Sequence, residues 1–361
     1  MARKRVIYQS EALFVAPSGS GSPTQLSRVQ SANYGFDISR TDVNQYGQAG
    51  AIDRVLLEAP IVNLDFSYYL NSGQNESALG FVLSDTRSAF AEIMTGKKDL
   101  SNYFILVSPE GTDANINTIE ATGVNSRTIG IGMGGITSYS VEAGVGTLPT
   151  ATVNAEGLNM KFYPASTGYL PEIDPINGSG LNDVKFQIPT PNSGDGYSVL
   201  RPGDILLNVS GIGVNANDLK IQSFSINAEL PRDSIQKLGN KFASFRELTY
   251  PITLNATVEA IVGDIGDTTQ TLRSGNALTD LICGDAAYTL VFNLGAPSTN
   301  CDASYTPYAL KYTIKGARLD SQSFSSSIGD NKSVSLNFSA PIGGPNDLGN
   351  NLLIQSNVSA V

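Results

Sequence analysis

The chain has 361 residues, 41% hydrophobic and 16% charged, with 36 glycines and a formal net charge of −10. Its length suits two domains of about 150 residues, and its acidity is a poor basis for gripping nucleic acid through phosphates. It has no histidine and no tryptophan, which removes Ser-His-Asp and Cys-His catalysis and most zinc chemistry; its two cysteines, Cys283 and Cys301, are too few for a disulfide framework or a metal cluster and read as reduced, partly buried thiols, with a single bridge between them as the alternative.

The first residues, Met1-Ala2-Arg3-Lys4-Arg5, are basic like the start of a leader, but no apolar stretch of leader length follows. The run Ala12-Leu13-Phe14-Val15-Ala16 has the length of a strand and ends at Pro17. No segment approaches 18 consecutive apolar residues, so no membrane-spanning helix is expected. Residues 31–38 alternate as a strand. Residues 40–54 follow, rich in Asp, Asn, Gln and Gly. They are long for a hairpin connection and read either as a solvated loop or as an arm toward a neighbouring chain. In 60–70, Val62, Leu64, Phe66 and Tyr68 alternate with Ile61, Asn63, Asp65 and Ser67, the pattern of a half-buried strand. Phe90, Ile93 and Met94 stand at i, i+3 and i+4, which predicts a helix over 86–95 with Gly96 as its C-terminal cap. Residues 104–107 predict a short buried strand, and 151–155 another.

Gly130-Ile131-Gly132-Met133-Gly134-Gly135 superficially suggests a phosphate loop, but more strand pattern follows and the Lys-Ser/Thr of a P-loop is missing. Residues 161–196 carry Pro164, Pro171, Pro175, Pro189 and Pro191 and predict an extended connector laid across a surface. The second half reads like the first. Strands are expected at 223–230, 251–262, 289–292 and 334–338, and a helix at 272–283 capped by Gly284. Asp264-Ile265-Gly266-Asp267 lacks the spacing of a calcium loop. The tail, 346–361, holds Leu352-Leu353-Ile354 and could add one more strand.

Sliding the chain along itself by 192 residues brings Gln30-Ser31 onto Gln222-Ser223, Arg40 onto Arg232, Gly47 onto Gly239, Arg54 onto Arg246 and Asn63 onto Asn255. Residues 89–96 resemble 277–284. At a shift of 183, Ser138 meets Ser321, Gly146 meets Gly329 and Asn154 meets Asn337. Three collinear blocks with a shrinking shift are what loop deletions in a duplicated domain produce. The expected organisation is one copy over 1–160, a connector over 161–196, a second copy over 197–345 and a tail over 346–361. Each copy is expected to be a β-sandwich or half-barrel with one flanking helix, so the fold class is mainly β.

This order of elements resembles the tail tube proteins of long-tailed bacteriophages. The likeness rests on the 29–47 segment, the polar loop, the long alternating strand, the helix, and the closing hairpin of Ser138-Tyr139-Ser140-Val141 with Ala151-Thr152-Val153-Asn154. It covers both copies and leaves out the connector. The resemblance implies a structural virion protein and no enzyme. Three duplicated chains would form a pseudo-sixfold homotrimeric ring, stacked into a tube through which duplex DNA passes transiently during ejection. It implies tape measure, distal tail and terminator proteins as further partners, no membrane, no cofactor, no metal and no catalytic residue. Such a protein would be assembled in the host cytoplasm and carried in the virion tail. A baseplate hub, a distal tail ring protein or a capsid decoration protein is the alternative. Arg40, Arg54, Arg232 and Arg246 recur at matched positions and are expected to pair with carboxylates across subunit or ring boundaries. Asp65 and Glu259, on the polar faces of the long strands, are expected to line the lumen.

Overall fold

The computed structural model describes residues 10–108, 114, 127–174, 176–189, 199–210, 219–262, 287–296, 308–326, 331–349 and 352–357. Both cysteines, the Asp264–Asp267 stretch and the helix expected at 272–283 lie outside the described residues. The described residues are mainly β, 59% strand and 5% helix, in large antiparallel sheets. The N-terminal half contributes β1 (Glu11–Pro17), β2 (Thr24–Gln25), β3 (Val29–Asp37), β4 (Arg40–Val43), β5 (Asp53–Leu56), β6 (Ile61–Tyr69), β7 (Leu100–Val107), β8 (Arg127–Gly144) and β9 (Thr147–Gly157). After them come β10 (Asn159–Tyr163), β11 (Thr167–Tyr169) and β12 (Lys185–Gln187). The C-terminal half contributes β13 (Ile205–Ser210), β14 (Leu219–Glu229), β15 (Arg232–Ile235), β16 (Phe245–Leu248), β17 (Ile252–Val262), β18 (Tyr288–Gly295), β19 (Tyr308–Ser325), β20 (Ser333–Ile342) and β21 (Leu352–Ser356).

Strands pair in the order β1-β7-β8-β9-β6-β3 in the first half and β13-β18-β19-β20-β17-β14 in the second. The registers correspond as well. Ser31 faces Ser67 and Ser223 faces Glu259, each just after a slip in register. Ser138 faces Asn154 and Ser321 faces Asn337, again each after a slip. The hairpins β4–β5 and β15–β16 pair Arg40 with Leu56 and Arg232 with Leu248. The halves join edge to edge: β14 lies along the far end of β8, from Ser223 opposite Gly144 to Glu229 opposite Ser138.

Alternation decides which side is buried. In β6, Val62, Leu64, Phe66 and Tyr68 face inward while Asn63 and Asp65 stay exposed, as period 2 requires. β17 behaves alike, with Leu254, Ala256 and Val258 buried and Glu259 exposed. One core runs through both halves, from Phe66 and Tyr139 to Phe292 and Phe338, and Phe224 packs on Phe292 with ring centroids 4.5 Å apart. β1 and β7 are buried on both faces. Leu13, Tyr103 and Ile105 belong to that core, whereas Phe14, Phe104 and Leu106 join Tyr163, Leu170 and Phe186 in a separate cluster under the connector.

Two expectations need correction. The helix over 86–95 is a single turn, α2 (Ala91–Met94), preceded by α1 (Gln74–Ala78), which the sequence pattern did not suggest. The helix does not start earlier because the Ala89 carbonyl, which a longer helix would offer to Ile93 N–H, accepts from Val82 N–H, while Ser88 and Ala89 N–H donate to the Leu348 and Leu352 carbonyls. Gly96 does sit just past the helix end with φ 73°. The glycine run at 130–135 lies within the 18-residue β8. There a Cβ on Gly132 would overlap the Pro171 carbonyl, so glycine admits the connector rather than a phosphate.

Candidate functional site: the polar wall and the open sheet edges

Eight strand segments lie side by side in one sheet: β3, β6, β9, the far end of β8, β14, β17, β20 and the far end of β19. Their core-facing side is apolar. Their other side is a layer of short polar side chains tied across strands. Asn33 Nδ2 donates to Asp65 Oδ2 at 2.7 Å, and Ser31 and Ser67 share a hydrogen bond at 2.7 Å. Asn154 Nδ2 donates to Ser138 Oγ, and Asn337 Nδ2 to Ser321 Oγ, both at 2.8 Å. Ser223 Oγ–H donates to Glu259 Oε2 at 2.9 Å. Asp65 and Glu259 therefore stand on one common polar wall. A shallow groove on it, lined by Glu142, Thr150, Ser223, Thr257 and Glu259, carries carboxylates without a cation. Such a surface hydrates well and offers phosphate no attraction.

Among the described residues, both outer edges of this wall are open. β3 pairs with β6 and has no strand on its other side; the far end of β19 pairs with β20 and likewise has none. The exposed residues mark the gap. Phe36 on the open edge β3 is 56% exposed, while Ala228 on β14, covered by β8, is 0% exposed. Phe324 on the open end of β19 is 43% exposed, while Val141 on β8, covered by β14, is 0% exposed.

The four arginines divide into two pairs. Arg232 reaches back over the first half. Its Nε–H donates to the Ile136 carbonyl at 2.9 Å, and its Nη2 contacts Asp99 Oδ1 at 2.7 Å. Arg246 Nη1 donates to Glu156 Oε2 at 2.5 Å, with the guanidinium buried; that burial lowers its pKa, and Glu156 opposes the shift. These contacts clasp the β15–β16 arm onto the first half. Arg54 pairs with Asp42 of its own hairpin, and Arg40 is exposed. Asp99 and Glu156 were not singled out in the sequence, since each lies at least 90 residues from its arginine and no local spacing links them.

Beneath the wall, Glu76 is fully buried. Its Oε1 accepts from Tyr68 Oη–H at 2.9 Å and Tyr139 Oη–H at 3.2 Å, and Tyr139 also bonds Tyr312 of the second half at 2.9 Å. Burial raises the carboxyl's pKa against the lowering effect of these hydrogen bonds. The four side chains form one buried hydrogen-bonded network that joins the two halves. Among the described residues no three His, Cys, Asp or Glu side chains gather as a metal site, and no helix is long and apolar enough to cross a membrane.

No protein-family model and no curated protein matches the sequence. Among solved structures, the chain is similar to a component of the anti-feeding prophage baseplate, at 10% identity and TM-score 0.29 over 44% of this chain and 95% of that one. It is similar to a component of the tail of an empty gene transfer agent particle of C6 symmetry, at 13% identity and TM-score 0.24 over 40% and 95%. A component of the native gene transfer agent virion matches at 15% identity and TM-score 0.20 over 39% and 98%.

Proposed function

We propose that this chain is a structural virion protein that builds the rings of a phage tail tube. Residues 1–160 and 197–345 are two copies of one domain, and three chains close a ring of six domains. The observation that carries this reading is the match between the internal junction and the two open edges. Within the chain, β14 pairs with the far end of β8. The counterpart of β14 is β3 and the counterpart of β8 is β19, and these are the open edges. Unpaired edges are a liability that ring closure removes. Repeating the internal register between chains sets Asn33 opposite Ser325, Gly35 opposite Ser323 and Asp37 opposite Ser321. Such a contact is heterologous, and heterologous contacts form a ring when the rotation between chains closes, in this reading after three.

The polar wall then faces the lumen, with Asp65 and Glu259 on it. Short neutral hydroxyls and amides with scattered carboxylates let hydrated duplex DNA slide during ejection. The chain's own copies are the main partners, joined at the tube ends by tape measure, distal tail and terminator proteins. Imaging of the purified, assembled protein tests this: rings of three chains, C3 with pseudo-sixfold character, are expected. A ring of six whole chains, or tubes that hold duplex DNA tightly at physiological salt, would contradict it. Abundance in virions separates a tube subunit, present in many copies, from a hub ring present in few.

A further inference from the structure

The two kinds of seam in such a ring are chemically different, and the difference is legible residue by residue. This inference rests on the ring reading above. At the internal seam, Leu230 N–H donates to the Thr137 carbonyl at 2.7 Å. Two residues on, the Arg232 guanidinium lies flat over Gly135, so close that a Cβ there would come within 2.5 Å of Cζ. From that seat it reaches the Ile136 carbonyl and Asp99, while Arg246 reaches Glu156. The seat exists because residue 135 has no side chain.

At the seam between chains, register places Ile38 at the position of Leu230, Arg40 at that of Arg232 and Arg54 at that of Arg246. On the receiving strand, Arg318 replaces Gly135, Asp320 replaces Thr137 and Ser339 replaces Glu156. The flat seat is filled by a side chain of the same charge as the incoming arginine. The carboxylate that holds Arg246 is gone, and Arg54 turns to its own Asp42 instead. A new carboxylate, Asp320, stands at the residue whose backbone would accept from Ile38, two positions from Arg40. Arg40 and Asp320 are both exposed in the single chain.

We propose that the seam between chains is locked by Arg40 of one chain and Asp320 of the next, whereas the seam within a chain is locked by Arg232–Asp99 and Arg246–Glu156. The inter-chain lock stands at the rim of the joint and is open to solvent, so it is screened by salt; the internal lock, with both guanidiniums buried, is shielded. Raising salt therefore opens rings into whole chains and does not part the two halves of a chain. Directionality follows too. Arg40 belongs to the donating edge and Asp320 to the receiving edge, so two like edges facing each other repel.

Charge reversal tests this on the full-length protein, with circular dichroism and melting confirming that each variant folds. Arg40→Glu and Asp320→Arg are each expected to lower the assembled fraction about tenfold in sedimentation at ~0.1 M salt. The combination is expected to restore it to within about threefold of the parent, a coupling that a merely structural role at either position would not produce. At ~1 M salt, where the screening length falls to about 3 Å, all four proteins should converge. Phe36→Asp serves as the separate control, because it places a charge at the position where Ala228 is wholly buried in the internal seam. If Phe36→Asp assembles normally, the ring reading fails and this inference falls with it. If Phe36→Asp blocks assembly while the reversals have no effect, or their combination does not recover, the Arg40–Asp320 lock alone is wrong.

Discussion

Replacing Glu76 with glutamine isolates the cost of burying one carboxyl where the two halves meet. In the folded chain Glu76 is fully buried, its Oε1 accepts from Tyr68 and Tyr139, and its Oε2 has no hydrogen-bond partner. Burial raises its pKa above the unfolded value, so the folded state favours the protonated carboxyl. Its contribution is fully present below the unfolded pKa, near ~4.3, and is lost as pH rises through the folded pKa. Over that window one proton separates the two states, and stability falls by up to about 1.4 kcal/mol per pH unit. A side-chain amide does not ionise, so Glu76→Gln removes that slope. The substitution also puts two N–H donors where the buried Oε2 has no hydrogen-bond partner, a cost of about 1–3 kcal/mol at acid pH. The variant should therefore be less stable than the parent near pH 4, and the gap should close as pH rises. Urea unfolding of both proteins across pH 4 to 8, analysed at constant m-value, measures this. Parallel stability curves would refute the assignment of a raised pKa to this group.

Two further substitutions test other joints. Arg246→Ala removes a buried guanidinium and leaves Glu156 with water as a partner, since its side chain is 38% exposed; the loss should be about 1–2 kcal/mol after allowing for that hydration, read as a lower urea midpoint, and an unchanged midpoint would mean the clasp contributes nothing. Gly132→Ala forces a methyl onto the Pro171 carbonyl; it should cost about 1–3 kcal/mol and raise proteolysis within residues 164–189 severalfold, whereas unchanged cleavage would show that the connector does not need this close approach.

Period 2 made much of the fold readable in advance. Val62, Leu64, Phe66 and Tyr68 announce a strand and its buried face together, because a single alternation carries both facts. The short helices were harder. Whether Ser88 and Ala89 spend their N–H groups on a helix or on residues 348 and 352 is decided by a tail more than 250 residues away, and no local propensity records that. Glu76 was missed for the same reason: an acidic residue beside Asn75 and Ser77 looks like solvated surface until Tyr68, Tyr139 and Tyr312 close over it. The arginines were visible, but their carboxylates were not, since pairing across 90 and 133 residues leaves no spacing to read.

The two halves differ on the side away from the polar wall, and the difference has a physical cause. On β7, Phe104 and Leu106 point outward and are fully buried by the connector, with Phe104 and Phe186 ring centroids 4.5 Å apart. On β18 the corresponding outward residues are Val291 and Asn293, and both are half-exposed. Burying a Phe and a Leu is worth about 2–3 kcal/mol each, a gain available only where chain exists to cover them. Glu172 fastens that cover, its Oε1 accepting from Ser18 Oγ–H, Gly19 N–H and Asn102 Nδ2. Each chain therefore has one half whose outer face is sealed by residues 164–189 and one half whose outward positions have shifted toward small and polar side chains. The polar wall differs from that outer face, because in both halves it carries hydroxyls, amides and scattered carboxylates tied across strands. If three chains close a ring, the wall approaches sixfold symmetry while the outside stays threefold. Images averaged with C3 symmetry should then keep the connector distinct in alternate domains, and C6 averaging should blur it.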